Sequence, residues 1–207
     1  MTTSRGERVP VGLVYRNPRL YRLAMRLLDR HADEDLRMVA DRIEPGSHVL
    51  DLCCGDAAIA RLLLAKRCRY VGLELNERFV ADGRRRGLDV RRWDGATLAI
   101  PQDADVVCML SSLYQFIPEE RSLLDEMLRH ARRTIIVSEP VRNWATSDSA
   151  LLRRVARTVT HVNGEVFERR LDEERLRELF AGLAGVDTEF VRGPRQLICV
   201  ATARAAT

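Results

Sequence analysis

The chain has 207 residues, 46% of them hydrophobic and 31% charged, and it carries a net charge of +4. This length predicts one domain, whose apolar content supports a packed core and whose charge solvates it. The basic balance does not by itself indicate nucleic-acid binding, because the arginines are spread along the chain among 30 acidic residues and a binding footprint is a concentrated patch.

The cysteines and the absence of long apolar runs predict a soluble cytoplasmic protein without a metal site. There are five cysteines, none in a C-x-x-C pair and none at ligand spacing from a histidine. Most of them stand in apolar runs, which is typical of reduced, buried thiols. No N-terminal segment resembles a signal peptide, and no run is long enough for a membrane span.

The N-terminal 44 residues predict a helical cap. Residues 1–14 are polar and are expected to be mobile or to act as a lid. Leucines then recur at helical spacing from Pro18, which suits a first helical turn. Asp33 is expected to cap a second helix, which Pro45–Gly46 ends.

From His48 to Pro140 strands alternate with helices, which predicts βαβ units and a parallel sheet. The strand segments are continuously apolar, as expected for strands that are buried on both faces. The predicted strands are His48–Leu52, Tyr70–Leu73, Val90–Trp93, Ala104–Leu110 and Thr134–Ser138, and the helices between them are Asp56–Lys66, Glu77–Arg86 and Glu119–Ala131.

After Pro140 the alternation of strands and helices stops. Residues 141–171 predict an insert that faces the substrate, and its Arg-rich amphipathic segment Leu151–Val159 could be a dimer face. Asp172 is expected to cap a helix over Glu173–Leu183, and Gly193–Pro194 joins two further strands, Val186–Val191 and Gln196–Thr202, in an antiparallel hairpin. The predicted fold is therefore one domain, 1–207, with a doubly wound, mostly parallel seven-stranded sheet: a cap (1–44), a ligand-binding half (45–140), the insert, and a terminal helix and hairpin (172–207).

The sequence D-L-C-C-G-D-A at Asp51–Ala57 predicts a tight turn between a strand and a helix, which presents backbone N–H groups to a ligand. A dinucleotide-binding turn would read G-x-G-x-x-G, but only Gly55 is present, and there is no phosphate-binding G-x-x-x-x-G-K-[ST]. Asp51 instead favours a ligand with cationic or hydrogen-bond-donating groups.

Further acids follow the next strands, at the sheet edge where ligands of such folds bind. Glu74 lies about twenty residues beyond the turn, the interval at which an acid meets ribose hydroxyls. Asp94, which precedes Gly95, can meet an exocyclic amine such as adenine N6. With no basic cluster for phosphate, this set fits an adenosine that bears a cationic amino-acid tail, and it argues against NAD or ATP.

These three motifs together resemble the class I S-adenosylmethionine (SAM)-dependent methyltransferases, whose first motif commonly reads D-x-G-x-G-x-G. Cys53 and Ala57 depart from that pattern, and the resemblance covers Val49 to Ala203. It implies SAM as the cofactor, with Gly55 near the amino-acid tail, Glu74 on the ribose and Asp94 at the adenine. The predicted cofactor-binding residues are Asp51, Cys53, Gly55, Glu74, Leu75, Asp94, Gly95 and Ser111. Each acid also has a simpler interpretation: Asp51 as a turn acid, Glu74 as a surface acid, and Asp94 as the start of a turn with Gly95.

The acceptor is predicted to be a small molecule. The segment after the fourth strand, S-S-L-Y-Q-F-I-P, lacks the N-P-P-Y or D-P-P-Y signature of enzymes that methylate exocyclic amines in nucleic acids. The substrate-side candidates are Tyr15, Tyr114, Arg142 and Trp144, and the candidates for a catalytic role are Tyr114, Glu139 and His161.

Ordinary structural roles remain open for these candidates: an aromatic anchor for Tyr15, ring packing for Tyr114, capping for Glu139 and a turn for His161. Two other functions also remain open. The chain could methylate RNA, or it could be a methyltransferase-like domain that binds the cofactor and transfers nothing. A homodimer is a further prediction.

Overall fold

The computed structural model of the protein describes residues 17–28, 31–141, 161–162, 165–166 and 171–204. The strands are β1 (His48–Leu52), β2 (Arg69–Glu74), β3 (Val90–Arg92), β4 (Ala104–Leu110), β5 (Ala131–Pro140), β6 (His161–Val162), β7 (Glu165–Val166), β8 (Val186–Arg192) and β9 (Gln196–Ala203). The helices are α1 (Pro18–Leu28), α2 (Ala32–Asp41), α3 (Ala60–Ala65), α4 (Glu77–Arg85), α5 (Glu120–His130) and α6 (Glu173–Ala181).

Seven strands form one sheet in the order β3-β2-β1-β4-β5-β9-β8, and β6 pairs with β7 separately. The first five of these strands pair in parallel. β9 lies antiparallel to both β5 and β8. The predicted fold class, with its terminal antiparallel hairpin, is therefore confirmed.

Helices cover both faces of the sheet, so the core has two apolar layers. One layer packs α2, α3 and α4 against side chains such as Val49, Cys108 and Ile136. The other packs α5 and α6 against the alternate side chains, among them Leu50, Met109 and Val137. We call the face that is covered by α2, α3 and α4 the cleft face, because the functional site opens on it.

Helix α1 packs against α4. The rings of Tyr21 and Phe79 meet edge to face, with centroids 5.2 Å apart. Arg22 donates to the buried Asp82 carboxylate at 2.6 Å. The N-terminal helix is therefore anchored beside the turn that follows β1.

Two of the predicted helix starts are wrong. α2 begins after His31, so Asp33 lies in its first turn and does not cap it. α3 begins at Ala60 rather than Asp56, because residues of the preceding turn take left-handed backbone angles that a helix cannot include. Asp172 does cap α6, where its side chain accepts from the Arg175 N–H.

Some predictions concern segments outside the described residues: the lid at 1–14 and the helix at Leu151–Val159. Within the described parts of the chain, no helix has the length and apolar character needed to cross a membrane.

Candidate functional site

A cleft of about 870 Å³ lies where the parallel strands end. Its floor is formed by side chains from the ends of five elements: Asp51, Glu74, Leu110, Ser138 and Gln196. These residues share the cleft face, because side chains alternate between the two faces along each strand. Leu110 pairs directly with Ser138, whereas Gln196 pairs with Pro140, two residues beyond Ser138 in β5.

The turn after β1 uses left-handed backbone angles at alternate positions. The φ values are 55° at Cys53, 53° at Gly55 and 53° at Ala57. These are the three positions that the family motif gives to glycine, the residue that adopts this region without strain. A Cβ on Gly55 would meet nothing within 4 Å, so the turn faces the open cleft there. The backbone thus keeps the shape of a glycine-rich turn although two of the glycines are replaced.

Glu74 holds that turn against the end of β2. Its carboxylate accepts from the Gly55 N–H and from the Asn76 N–H, both at 2.8 Å. Only 8% of the residue is exposed. Burial raises the pKa of this carboxyl, while the hydrogen bonds from Asn76 and Gly55 act to lower it. A carboxylate has about four acceptor sites, so Glu74 retains capacity for ligand hydroxyls.

Asp51 lies inside β1, one position before its end, and only 2% of the residue is exposed. It accepts from the Tyr70 hydroxyl at 2.8 Å and from the Cys108 thiol at 3.7 Å. Burial raises the pKa of Asp51 to about 7, although both hydrogen bonds act to lower it. Gly72 makes room for this contact, since a Cβ there would lie 2.9 Å from the Tyr70 hydroxyl.

The segment after β3 combines a turn with the cleft wall. Asp94 caps a short 3-10 helix at Gly95–Thr97, where its side chain accepts from the Ala96 N–H at 3.0 Å. A Cβ on Gly95 would lie 2.9 Å from the Phe116 ring, so glycine allows this ring to pack there. Asp94 and Gly95 line the cleft together with the exposed Leu75. Asp94 thus starts a turn with Gly95 and also lines the cleft.

Of the substrate-side and catalytic candidates, Tyr114 and Glu139 have side chains in the described structure, and of these two only Tyr114 lines the cleft. Tyr114 is buried and lines the cleft. Glu139 lies within β5, on the face opposite Ser138, and its carboxylate accepts from the Leu113 N–H at 2.6 Å. Of the described residues, those that line the cleft do not include Glu139.

The other candidates lie beyond what the structure describes. Tyr15, Arg142 and Trp144 are outside the described residues. His161 belongs to β6, where its backbone pairs with Val166, but its side chain is outside the described part.

Ser138, Gln196 and Tyr70 are site residues that the sequence did not indicate. Gln196 enters the cleft because β9 lies beside β5, and Ser138 enters it because β5 lies beside β4. No local pattern specifies this strand order. The Tyr70 contact depends on Gly72 two residues later. An isolated glycine within a strand marks close approach of other atoms, and that signal could have pointed to this contact.

The arginines among the described residues that line the cleft are engaged with the protein itself. Arg22 pairs with Asp82, and Arg61 pairs with Asp33 at 2.5 Å. Arg86 donates to the Asp56 carbonyl oxygen at 2.6 Å and lies 3.5 Å from Asp82. Over the described ranges, no group of three or more His, Cys, Asp or Glu side chains is arranged to hold a metal ion.

This strand order, terminal hairpin and strand-end site define the class I SAM-dependent methyltransferase fold. A family model described as "Methionine biosynthesis protein MetW" matches residues 33–160, more than half of the chain. The chain therefore belongs to the MetW family. No curated protein matches the sequence significantly.

Solved structures with low sequence identity share the fold. A SAM-dependent methyltransferase of Thermotoga maritima, described as a possible histamine N-methyltransferase, has a TM-score of 0.62 and 18% identity over 90% of this chain and 98% of its own. A chain from the Haloferax volcanii complex of the Trm112 methyltransferase activator with a methyltransferase has a TM-score of 0.68 and 17% identity, covering 94% of this chain and 99% of its own.

A third neighbour was solved with bound SAH (S-adenosylhomocysteine). It is the magnesium protoporphyrin IX methyltransferase of Synechocystis, with a TM-score of 0.57 and 17% identity over 86% of this chain and 83% of its own. The predicted resemblance to class I methyltransferases is thus confirmed, and the cofactor class of these neighbours is the one that the sequence predicted.

Proposed function

We propose that this protein binds SAM in the cleft and transfers its methyl group to a small-molecule acceptor. The observation that carries this proposal is the pairing of Glu74 with the turn: a buried carboxylate fixed by the Gly55 and Asn76 N–H groups beside backbone that faces open space. The cleft, about 870 Å³ in volume, falls within the range of cofactor sites.

The residues present fit this cofactor. Glu74 would accept from the ribose hydroxyls, and the backbone at Cys53 and Gly55 would face the methionine part. Asp51 would accept from the amino group, and the positive charge of that group would favour the ionised form of the buried carboxyl. Leu75, Asp94 and Gly95 would hold the adenine end, whereas Ser111, which also lines the cleft, is hydrogen-bonded to β5 and β9 and is left to the acceptor.

When bound, SAM supplies an electrophilic methyl group. The protein's own contribution is to hold and align the reactants and to exclude water, which can supply much of the acceleration of such a reaction. Tyr114 is the catalytic candidate that the described structure supports best, because it is buried and lines the cleft. Glu139 instead fixes the segment after β4 through Leu113.

The charge of the cleft supports a small molecule over RNA. An RNA site would offer cationic groups to phosphates, whereas Arg22, Arg61 and Arg86 are engaged with acids or carbonyls of the protein. A domain that binds SAM and transfers nothing is the second alternative. This alternative is supported by the turn that would contact the cofactor, because Cys53 and Ala57 replace two of its glycines there.

Calorimetric titration tests the cofactor proposal. We expect SAM and SAH to bind and NAD not to bind. Glu74→Gln should weaken SAM binding about tenfold or more, because hydrogen bonds to a charged group contribute roughly 1.5–3 kcal/mol. Glu77→Gln is the matched control: it removes a nearby exposed carboxylate and should leave the affinity unchanged. Equal SAM affinity for Glu74→Gln and the wild type would contradict the ribose assignment.

A metabolite screen that is coupled to SAH release tests transfer. Turnover with any small acceptor would exclude the non-catalytic alternative. Turnover with RNA alone would favour the RNA alternative. SAM binding with no turnover across the screen would favour the non-catalytic domain.

A further inference from the structure

A hydrogen-bonded cluster joins three strands at one end of the cleft. The Gln196 side-chain amide donates to Ser111 Oγ at 3.2 Å, and Ser138 Oγ donates to Gln196 Oε1 at 3.4 Å. The Ser111 N–H donates to the Ser138 carbonyl oxygen at 2.7 Å. The three residues belong to β9, to β5 and to the position directly after β4, and all of them line the cleft.

The cluster has capacity for a ligand. Ser111 Oγ accepts from Gln196, and within the described residues no acceptor takes its own hydroxyl hydrogen. Gln196 uses one of its two side-chain N–H groups and one lone pair of its oxygen in these contacts. The cluster thus presents a donor–acceptor set that carries no charge.

The backbone at Ser111 indicates that its hydroxyl has a role. Ser111 is exposed and has a φ of 54°. This left-handed conformation costs a residue with a side chain roughly 1–2 kcal/mol, and glycine would adopt it without that cost. Strain of this kind concentrates at functional sites. The serine hydroxyl, oriented by Gln196, is what a glycine could not provide here.

An acidic side chain lies near the cluster. Asp35 is buried in α2 and lines the cleft. Its carboxylate packs against Gly193, where a Cβ would lie 2.2 Å from Oδ1, three residues before Gln196. The arginines among the described lining residues lie on α1, on α3 and just after α4, not on the three strands that carry the cluster.

We propose that Ser111, Ser138 and Gln196 form an acceptor subsite, which binds a neutral polar group such as an amide or a hydroxyl and rejects carboxylates and phosphates. The proposal rests on the methyl transfer proposed above and adds its substrate class. Gln196 is a specificity-determining residue in this subsite, since its side chain both orients Ser111 and faces the ligand.

Matched small probes test the subsite on SAH-loaded protein, where SAH occupies the cofactor site. Nicotinamide and nicotinate form one pair, and benzyl alcohol and benzoate form another. NMR titrations should show that the neutral member of each pair binds at least about tenfold more tightly than the anionic member. This factor corresponds to one or two hydrogen bonds together with the cost of placing an anion beside uncharged groups.

Variants assign the preference to the cluster. Gln196→Leu should weaken binding of the neutral probe about tenfold while the affinity for SAH stays within about twofold. Gln102→Leu makes the same change just before β4, at the end of the strands away from the cleft, and should alter neither affinity. Ser111→Gly relieves the backbone strain, so it should be at least as stable as the wild type and yet lose the preference for the neutral probe. This combination separates ligand binding from a structural role.

Three results would overturn the subsite: equal binding of neutral and anionic probes, no binding of any neutral probe, or unchanged neutral binding by Gln196→Leu. Each counts against the subsite alone if SAH binds the wild type. Failure of SAH itself to bind would instead overturn the proposed function.

Discussion

In the turn after β1, Cys53 and Ala57 have positive φ angles, which residues with a side chain disfavour. Ala57 is buried and has a φ of 53°. An L-residue in this region has its Cβ too close to the following carbonyl oxygen. The surrounding contacts must hold the turn in place, and among them is the Ala57 N–H, which donates to the Cys54 carbonyl oxygen at 2.8 Å.

A glycine substitution at Ala57 should therefore cost less than the same substitution elsewhere. Ala40 is a matched buried alanine, 3% exposed in α2 against 1% for Ala57. Both changes remove one methyl and add freedom to the unfolded chain, but only Ala57→Gly relieves strain. We expect it to be more stable than Ala40→Gly by about 1–2 kcal/mol in urea denaturation. Equal losses would show that the turn is not strained.

Asp51 makes stability depend on pH. Burial raises its pKa from 3.8 to about 7, so between these values the folded state holds a proton that the unfolded state has released. The free energy of unfolding should therefore fall as the pH rises through this window. Asp51→Asn removes this titration and keeps an oxygen for the Tyr70 hydroxyl.

Urea denaturation across that window measures the effect. We expect the wild type to lose stability with rising pH more steeply than Asp51→Asn. A decline persists in the variant, because burial also raises the pKa of Asp56 and Glu74. Parallel curves for the two proteins would show that Asp51 holds no proton near neutral pH.

At the scale of one element, adjacent residues of β5 place their side chains on opposite faces of the sheet and so have different roles. Ser138 faces the cleft, whereas Glu139 turns its carboxylate to the Leu113 N–H beneath α5. The sequence motif alone presented Glu139 as a catalytic candidate because it stands at the predicted end of the strand. The strand continues to Pro140, so the alternation of faces decides which side chain faces the cleft.

Two substitutions at Glu139 distinguish a structural role, in which its carboxylate fixes the Leu113 N–H, from a catalytic role. Glu139→Gln retains an oxygen for Leu113 and should preserve both stability and SAH release. Glu139→Ala leaves a buried N–H without this acceptor and should cost about 1–3 kcal/mol in urea denaturation. Loss of SAH release in a stably folded Glu139→Gln would contradict the holding role and restore Glu139 as a catalytic group.

For the whole molecule, the net charge and the charge of the cleft differ in sign. The chain carries +4, but carboxyl groups outnumber guanidinium groups among the described residues that line the cleft, and Arg22 and Arg86 both lie beside Asp82. This arrangement favours a cationic ligand. SAM carries one more positive charge than SAH, because its sulfur is a sulfonium.

Salt should therefore weaken the binding of SAM more than that of SAH. Raising the ionic strength from about 0.05 M to about 0.5 M shortens the screening length severalfold, and we expect the SAM-to-SAH affinity ratio to fall about threefold. Calorimetric titration of both ligands at each salt concentration measures this ratio, with SAH as the internal control. A ratio that does not change with salt would show that the cleft does not select for charge.

The sequence by itself determined the alternation of strands and helices, the terminal hairpin and the acids at the strand ends. These follow from local periodicity, turn residues and spacing, which act within a few positions along the chain. Only the tertiary structure decided which side chains meet. Gln196 reaches Ser111 across β5 because β9 inserts between β5 and β8, and the Tyr70 hydroxyl reaches Asp51 across Gly72. Such contacts depend on strand order and register, which long-range packing sets and no local pattern encodes.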